Sequence, residues 1–264
     1  MGYNTKIDWV DSSWNPVTGC RHGCPYCYAN RIASRFNGFE IMEENNAPCE
    51  AWFEIEQDSE MFEVTRQMTR KTKEGDLVSA PYPFGFCPTF HQYRLDDPKK
   101  WSESRNIFVC SMADLFGDWV PDSWIQRVFE ACDKAPQHRY FFLTKNCFRY
   151  PKVIESYKGN FDNKWFGTTL TNYEDYIFRN GAYKTFLSIE PIQEYLDVKP
   201  WATDWVIIGS ETGNRVGKVK PEKRWICDIV LSCMEYNVPV FMKESLRELM
   251  GDNFIQEYPE EFEK

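Results

Sequence analysis

The chemistry in this 264-residue sequence concentrates in one short run, Cys20-Arg-His-Gly-Cys24-Pro-Tyr-Cys27, with the spacing C-x3-C-x2-C. Three thiolates on one loop can face a common centre, and thiolate is the soft donor that iron–sulfur clusters and zinc prefer. Three is one fewer than a structural zinc or a fully ligated cubane uses. A metal held here would keep one position open, which catalysis requires. Two plainer alternatives stand beside this one: a zinc site completed by His22, Cys49 or Cys87, and packed thiols with no metal at all. The remaining cysteines scatter, several of them inside apolar runs where the thiol acts as a small hydrophobe.

The elements that must position the loop alternate along the chain. Asn106–Ser111, Arg139–Thr144, Trp165–Leu170, Thr185–Glu190, Asp204–Gly209 and Val238–Met242 read as short buried strands. Helices are expected over 120–132, where Ile125, Val128, Phe129 and Cys132 share one face, and around Ile226, Ile229, Val230 and Cys233. Shorter helices are expected at 28–36, 152–157 and 173–179. Strands alternating with helices imply βαβ units and a parallel sheet. The expected fold is therefore α/β: a partial or near-complete (β/α) TIM-like barrel of six to seven βα units. It forms a single domain over 1–264, with an insertion at 38–104 after the first helix and a C-terminal extension at 245–264. The acidic tail from Gly251 is expected to be loosely held. In such a fold the site lies at the C-terminal strand ends. Polar residues collect there: Ser111 and Asp114, Thr144 and Lys145, Thr168 and Thr169, Ser188 and Glu190, Glu211, and Lys243.

Composition sets outer bounds. Net charge is −9, hydrophobic residues make up 42% and aromatics 17%, which excludes disordered and collagen-like classes. The acidic balance disfavours a surface coated for phosphate binding but says nothing about a local basic groove. No apolar run approaches the ~18 residues of a membrane span, and Met1–Lys6 has no apolar leader core. A soluble cytoplasmic protein with reduced thiols and no membrane partner is expected.

The cysteine run resembles the motif of the radical S-adenosylmethionine (SAM) superfamily, C-x3-C-x-aromatic-C, with Tyr26 in the aromatic slot. Asn15-Pro-Val-Thr-Gly-Cys20, Ser111-Met-Ala-Asp114 and Leu143-Thr-Lys145 resemble the spore photoproduct lyase branch. Over nearly its whole length the chain is similar to a phage- and prophage-associated family of radical-SAM-like proteins, through stretches such as Ser111–Phe116, Phe186–Pro191 and Trp205–Gly213.

The resemblance implies a 4Fe-4S cluster on Cys20, Cys24 and Cys27, with the amino and carboxylate groups of S-adenosyl-L-methionine on the fourth iron. One-electron reduction, from a flavodoxin- or ferredoxin-type or chemical reductant, then splits SAM to methionine and a 5′-deoxyadenosyl radical that abstracts hydrogen from substrate. Lys145 would meet the SAM carboxylate, Ser111 and Asp114 the amino group, and Thr169 the ribose. Tyr26, Gly209 and Glu211 would lie near the adenine. Arg21 and His22 would tune the cluster or shape the loop rather than ligate it. A thiol at Cys110 or Cys147 would return hydrogen to a product radical, or else simply pack in the core. Glu190 would orient substrate or cap its strand. The photoproduct lyase likeness suggests a nucleotide or nucleic-acid base as substrate. The alternative function is a non-catalytic protein stabilised by zinc or an inert cluster, whose insertion meets a protein partner.

Overall fold

The computed structural model describes residues 5–39, 52–54 and 60–262. In chain order its strands and α-helices are β1 (Ser12–Trp14), β2 (Val17–Thr18), α1 (Tyr28–Arg35), β3 (Trp52–Glu54), β4 (Glu60–Val64), β5 (Thr69–Lys71), β6 (Leu77–Ser79), β7 (Thr89–His91), β8 (Asn106–Val109), α2 (Asp122–Asp133), β9 (Arg139–Thr144), α3 (Tyr150–Ser156), β10 (Lys164–Thr169), β11 (Lys184–Ile189), β12 (Trp205–Ile208), α4 (Lys223–Glu235), β13 (Val240–Met242) and α5 (Arg247–Met250).

Seven strands form one sheet in the order β1-β8-β9-β10-β11-β12-β13. Every neighbouring pair is parallel, and the sheet curls into a half-barrel. The insertion supplies most of a second sheet, β2-β7-β4-β3, and the β5–β6 hairpin. Part of it, together with the alternative ligand Cys49, lies outside the described residues.

Alternation along the strands sorts side chains onto two faces. Phe142 and Phe166 pack with Ile125, Val128 and Phe129 of α2. Leu187, Val206 and Met242 pack with Ile226 and Ile229 of α4. The helices therefore cover the convex face. Their neighbours one residue earlier or later, Phe141, Trp165, Phe186, Trp205 and Phe241, fill the concave face with Trp9 and Phe262. Gly167 sits where a Cβ would fall 2.2 Å from the Phe186 ring, so that ring occupies the space a side chain would need.

Two expectations fail. Residues 173–179 form a turn and an extended segment instead of a helix. The Asp175 Oδ2 accepts from the Thr171 N–H (2.6 Å), the Thr171 hydroxyl (3.0 Å) and the Asn172 N–H (3.1 Å), and the Phe178 N–H donates to the Thr168 hydroxyl (3.1 Å) in place of a helical carbonyl, so a side chain competes with the helix ladder. The tail is also not loose up to Phe262. Gln256 bridges Phe241, the Trp205 indole donates to the Glu257 carbonyl at 3.0 Å, and Phe262 packs edge-on to Phe141, Trp165 and Trp205. Burial of that ring among aromatics outweighs the tail's charge.

Candidate functional site

Continuing the two-residue alternation past the aromatic layer brings the concave face to Lys145 after β9, Thr169 at the end of β10, Glu190 after β11, Gly209 after β12 and Lys243 after β13. These are the C-terminal strand ends, where the sequence places the site. The last three meet. Lys243 Nζ donates to Glu190 Oε1 at 2.5 Å, and a Cβ on Gly209 would approach Lys243 Cδ to 3.0 Å and Glu190 Cγ to 3.2 Å. Gly209 thus leaves room for the ion pair.

The cysteine loop enters this mouth between β2 and α1. Gly19 takes a φ of +87°, and a Cβ there would fall 2.2 Å from the Cys87 carbonyl oxygen, so only glycine lets the two backbones pass. Cys27 caps α1, its thiol accepting from the Asn30 N–H at 3.4 Å. Cys20, Cys24 and Cys27 are all free and half-buried. Burial pushes the Cys20 thiol up to about 12, with the Asp114 carboxylate and the other two sulfurs adding to the rise. Burial also raises Cys24, against the pull of the Lys145 ammonium. The Cys24 and Cys27 sulfurs thus bear electrostatically on Cys20, and thiolates are the donors an iron–sulfur or zinc centre takes. As placed, no three His, Cys, Asp or Glu side chains among the described residues stand close enough together to hold a metal ion.

Asp114 organises the mouth. It is buried, and both carboxylate oxygens are filled. Oδ2 accepts from His22 Nε2 at 2.7 Å and from the Lys145 N–H at 2.9 Å. Oδ1 accepts from the Thr144 hydroxyl at 2.7 Å and the Phe116 N–H at 3.0 Å. A carboxylate only accepts, so His22 carries its proton on Nε2. Ser111 is engaged as well: its hydroxyl donates to Asn15 Oδ1 (3.2 Å), and its carbonyl accepts from the Tyr28 hydroxyl (2.7 Å).

Lys145 Nζ stands over the Tyr26 ring at 5.6 Å, and the Tyr26 hydroxyl reaches the Thr171 hydroxyl at 3.4 Å. Thr168 turns away, accepting from the Phe178 N–H at 3.1 Å. Glu211 is buried and bidentate to Arg215, both contacts 2.6 Å, and that guanidinium holds its carboxyl below the usual range.

Cys110 and Cys147 lie within the apolar core under the convex face. Cys110 takes a φ of +59°, and burial pushes its thiol up to about 12. Cys147 directs its thiol toward the Tyr176 carbonyl at 3.5 Å.

Sequence reasoning passed over Asn15, Tyr28 and the Lys243–Glu190 pairing. Asn15 was visible as a polar residue directly before a proline at the end of β1, but its partners lie 96 and 97 positions away.

A family model described as "Protein of unknown function (DUF5131)" matches residues 4–247, and the chain belongs to that family. No curated protein and no solved structure matches it. No helix among the described residues is long and apolar enough to cross a membrane.

Proposed function

We propose that this member of the family is a radical SAM enzyme built on a TIM-like partial barrel. Cys20, Cys24 and Cys27 would hold a 4Fe-4S cluster, with SAM beside it in the concave mouth. The observation that carries this reading is the Asp114 junction, which fastens a loop of three free thiols against the strand end bearing Lys145. When bound, cluster and SAM supply reductive cleavage of SAM to a 5′-deoxyadenosyl radical that takes hydrogen from a substrate, for which a nucleotide or nucleic-acid base is the class suggested by resemblance.

The chain's own residues bind and orient. Lys145, one of the inward-facing cations, offers a partner for a carboxylate and already sits beside Tyr26 and within reach of Cys24's charge. Thr169 brings a hydroxyl to the same face for the ribose. Gly209 and the Tyr26 backbone leave a surface for adenine, and the Glu211–Arg215 pair fixes the loop behind it. Asp114 and Ser111, both already engaged, act by holding the cysteine loop in place. Glu190, paired with Lys243, orients substrate from the opposite wall. Cys110 and Cys147 contribute packing.

The test is anaerobic reconstitution followed by electron paramagnetic resonance of the reduced protein, with and without SAM. The expected result is a brown protein with about four irons per chain and a cluster signal that changes on adding SAM. A cluster signal indifferent to SAM would overturn the catalytic reading. A colourless, zinc-loaded protein would favour a metal-stabilised binding protein that works with a partner.

A further inference from the structure

The chain is acidic overall at −9, yet its cations are not evenly spread. α1 carries Arg31 and Arg35 on its exposed side, and residues 28–37 contain no Asp or Glu. The loop 212–221, after β12, carries Arg215, Lys218 and Lys220, again with no acid. These segments meet: a Cβ on Gly213 would lie 3.5 Å from an Arg31 guanidinium nitrogen, and Lys218 Nζ donates to the Gly213 carbonyl at 3.0 Å. Both Arg31 and Lys218 bear electrostatically on Glu211, whose two oxygens Arg215 already occupies. At the other end of α1, Arg70 of β5 stands 5.6 Å over the Phe36 ring. The acids of that hairpin, Glu74 and Asp76, lie beyond β5, in its turn, with their backbone N–H groups held by Thr72. The result is a basic stripe running from loop 212–221 along α1 to β5.

The stripe also exposes apolar surface between its charges. Tyr28 is 44% exposed, Phe36 38% and Val216 94%. Cations alone would suit any polyanion. Cations interleaved with accessible rings suit a strand whose phosphates are exposed and whose bases are unstacked.

We propose that this stripe is a docking surface for single-stranded nucleic acid. Arg31, Arg35, Lys218 and Lys220 meet phosphates, the exposed Tyr28 ring offers a face to a base, and Phe36 with Arg70 above it extends the surface. A duplex hides its base faces, and a purely acidic chain such as poly-glutamate has no flat ring to stack on them. Because the rest of the chain is strongly acidic, attraction is local to the stripe and is screened within about 8 Å at physiological salt. α1 begins at its Cys27 cap, so a strand on the stripe passes directly beside the cysteine loop. That the docked strand is also what the centre acts upon rests on the reading given above; the docking itself does not.

The test is fluorescence anisotropy of the full-length chain with a labelled 20-nucleotide single-stranded DNA of mixed sequence, titrated with salt. Same-sequence RNA, duplex DNA and poly-glutamate serve as competitors. The expected result is salt-sensitive binding with a log–log slope of about −2 or steeper, as three or more phosphate contacts on a single strand give. Single-stranded DNA or RNA should compete, and the duplex and poly-glutamate should compete far less. R31E/K218E/K220E should weaken binding about tenfold or more, while K152A, on α3 away from the stripe, leaves it unchanged. If the reversal variant does not give the parent's circular dichroism, R31Q/K218Q replaces it and a several-fold loss is expected.

Binding without salt dependence, equal binding by the stripe variants, or equal competition by duplex would overturn the proposal. Equal competition by poly-glutamate would overturn it in favour of an acidic protein partner. The same titration on C24A separates the two ideas. A chain that binds the oligonucleotide but never shows a SAM-responsive cluster loses the catalytic reading and keeps the docking surface. A chain with the responsive cluster and no binding does the reverse.

Discussion

His22 Nε2 lies 2.7 Å from Asp114 Oδ2, and the same oxygen accepts the backbone N–H of Lys145 at 2.9 Å. Two residues 92 positions apart thus tie the cysteine loop to the end of β9. The loop's position is set by a buried carboxylate that has no acceptor capacity left for a ligand. Asp114→Ala leaves the Thr144 hydroxyl and the Phe116 and Lys145 N–H groups without their acceptor. The expected loss in urea unfolding is about 3 kcal/mol, with poorer iron retention after reconstitution. A variant as stable as the parent would show that the junction does not organise the mouth.

Lys145→Ala tests the proposed contact with the SAM carboxylate. Its side chain packs over Tyr26 and Lys145 lies one residue past the β9–β10 register, so the fold should persist. Iron content should equal the parent's, while SAM affinity by calorimetry should fall about tenfold, which corresponds to loss of about 1.4 kcal/mol. Unchanged SAM affinity would remove Lys145 from the carboxylate.

Two glycines on the concave face should answer differently to the same substitution. Gly167→Ala drives a Cβ into the Phe186 ring at 2.2 Å, within the aromatic fill. Overpacking there should lower stability by about 3 kcal/mol. Gly209→Ala meets flexible side chains at 3.0–3.3 Å. It should cost little stability but spread the Lys243–Glu190 pair, so its effect should appear in SAM-dependent activity. A large melting shift for Gly209→Ala with none for Gly167→Ala would reverse this assignment.

His91 makes the fold sensitive to acid. It is fully buried, and Nε2 pairs with the Thr18 hydroxyl at 2.9 Å. Nδ1 has no hydrogen-bond partner among the described residues. Burial, helped by the Arg94 charge, holds its pKa well below the ordinary value of about 6.5. The unfolded chain therefore takes up a proton first as pH falls. The stability that neutral His91 contributes is complete above about pH 6.5 and is lost as pH drops toward the folded value, at no more than about 1.4 kcal/mol per unit. Urea midpoints at pH 7.5 and 5.0 should diverge less in His91→Gln than in the parent. Equal divergence would show that other groups carry the acid response.

Local chemistry made much of this molecule legible. The apolar run from Arg139 to Thr144 is β9 to the residue, because a strand buried on both faces needs no partner to declare itself. The helix face at Ile125, Val128, Phe129 and Cys132 is likewise written in its spacing, and all four are buried. What stayed hidden depended on partners distant in the chain or on a side chain competing with the backbone. The Phe178 N–H, which a helix at 173–179 would have sent to the Glu174 carbonyl, goes instead to the Thr168 hydroxyl ten positions back. Phe262 sits in an acidic tail, and only the open concave face gives it a place to be buried. The strand-end residues could be collected from sequence, but which of them face one another could not. Glu190 and Lys243 lie 53 positions apart, and Asp114 reads as a ligand contact until its four donors are seen.

The insertion between α1 and β8 has a consequence for timing. From β8 to β13 the large sheet is assembled from strands that follow one another in the chain, whereas β1 pairs with β8 across 95 positions, Ser12 opposite Ile107. Closing so long a loop carries the larger entropy, so non-local pairing of this kind comes late. The cysteine loop follows β1 by a few residues and is fastened at Asp114, beyond β8. The thiols made first during synthesis are therefore among the last groups seated. A metal ion or cluster that these thiols took up would meet them after the strands from β8 to β13 have paired, as the β1 edge is brought home.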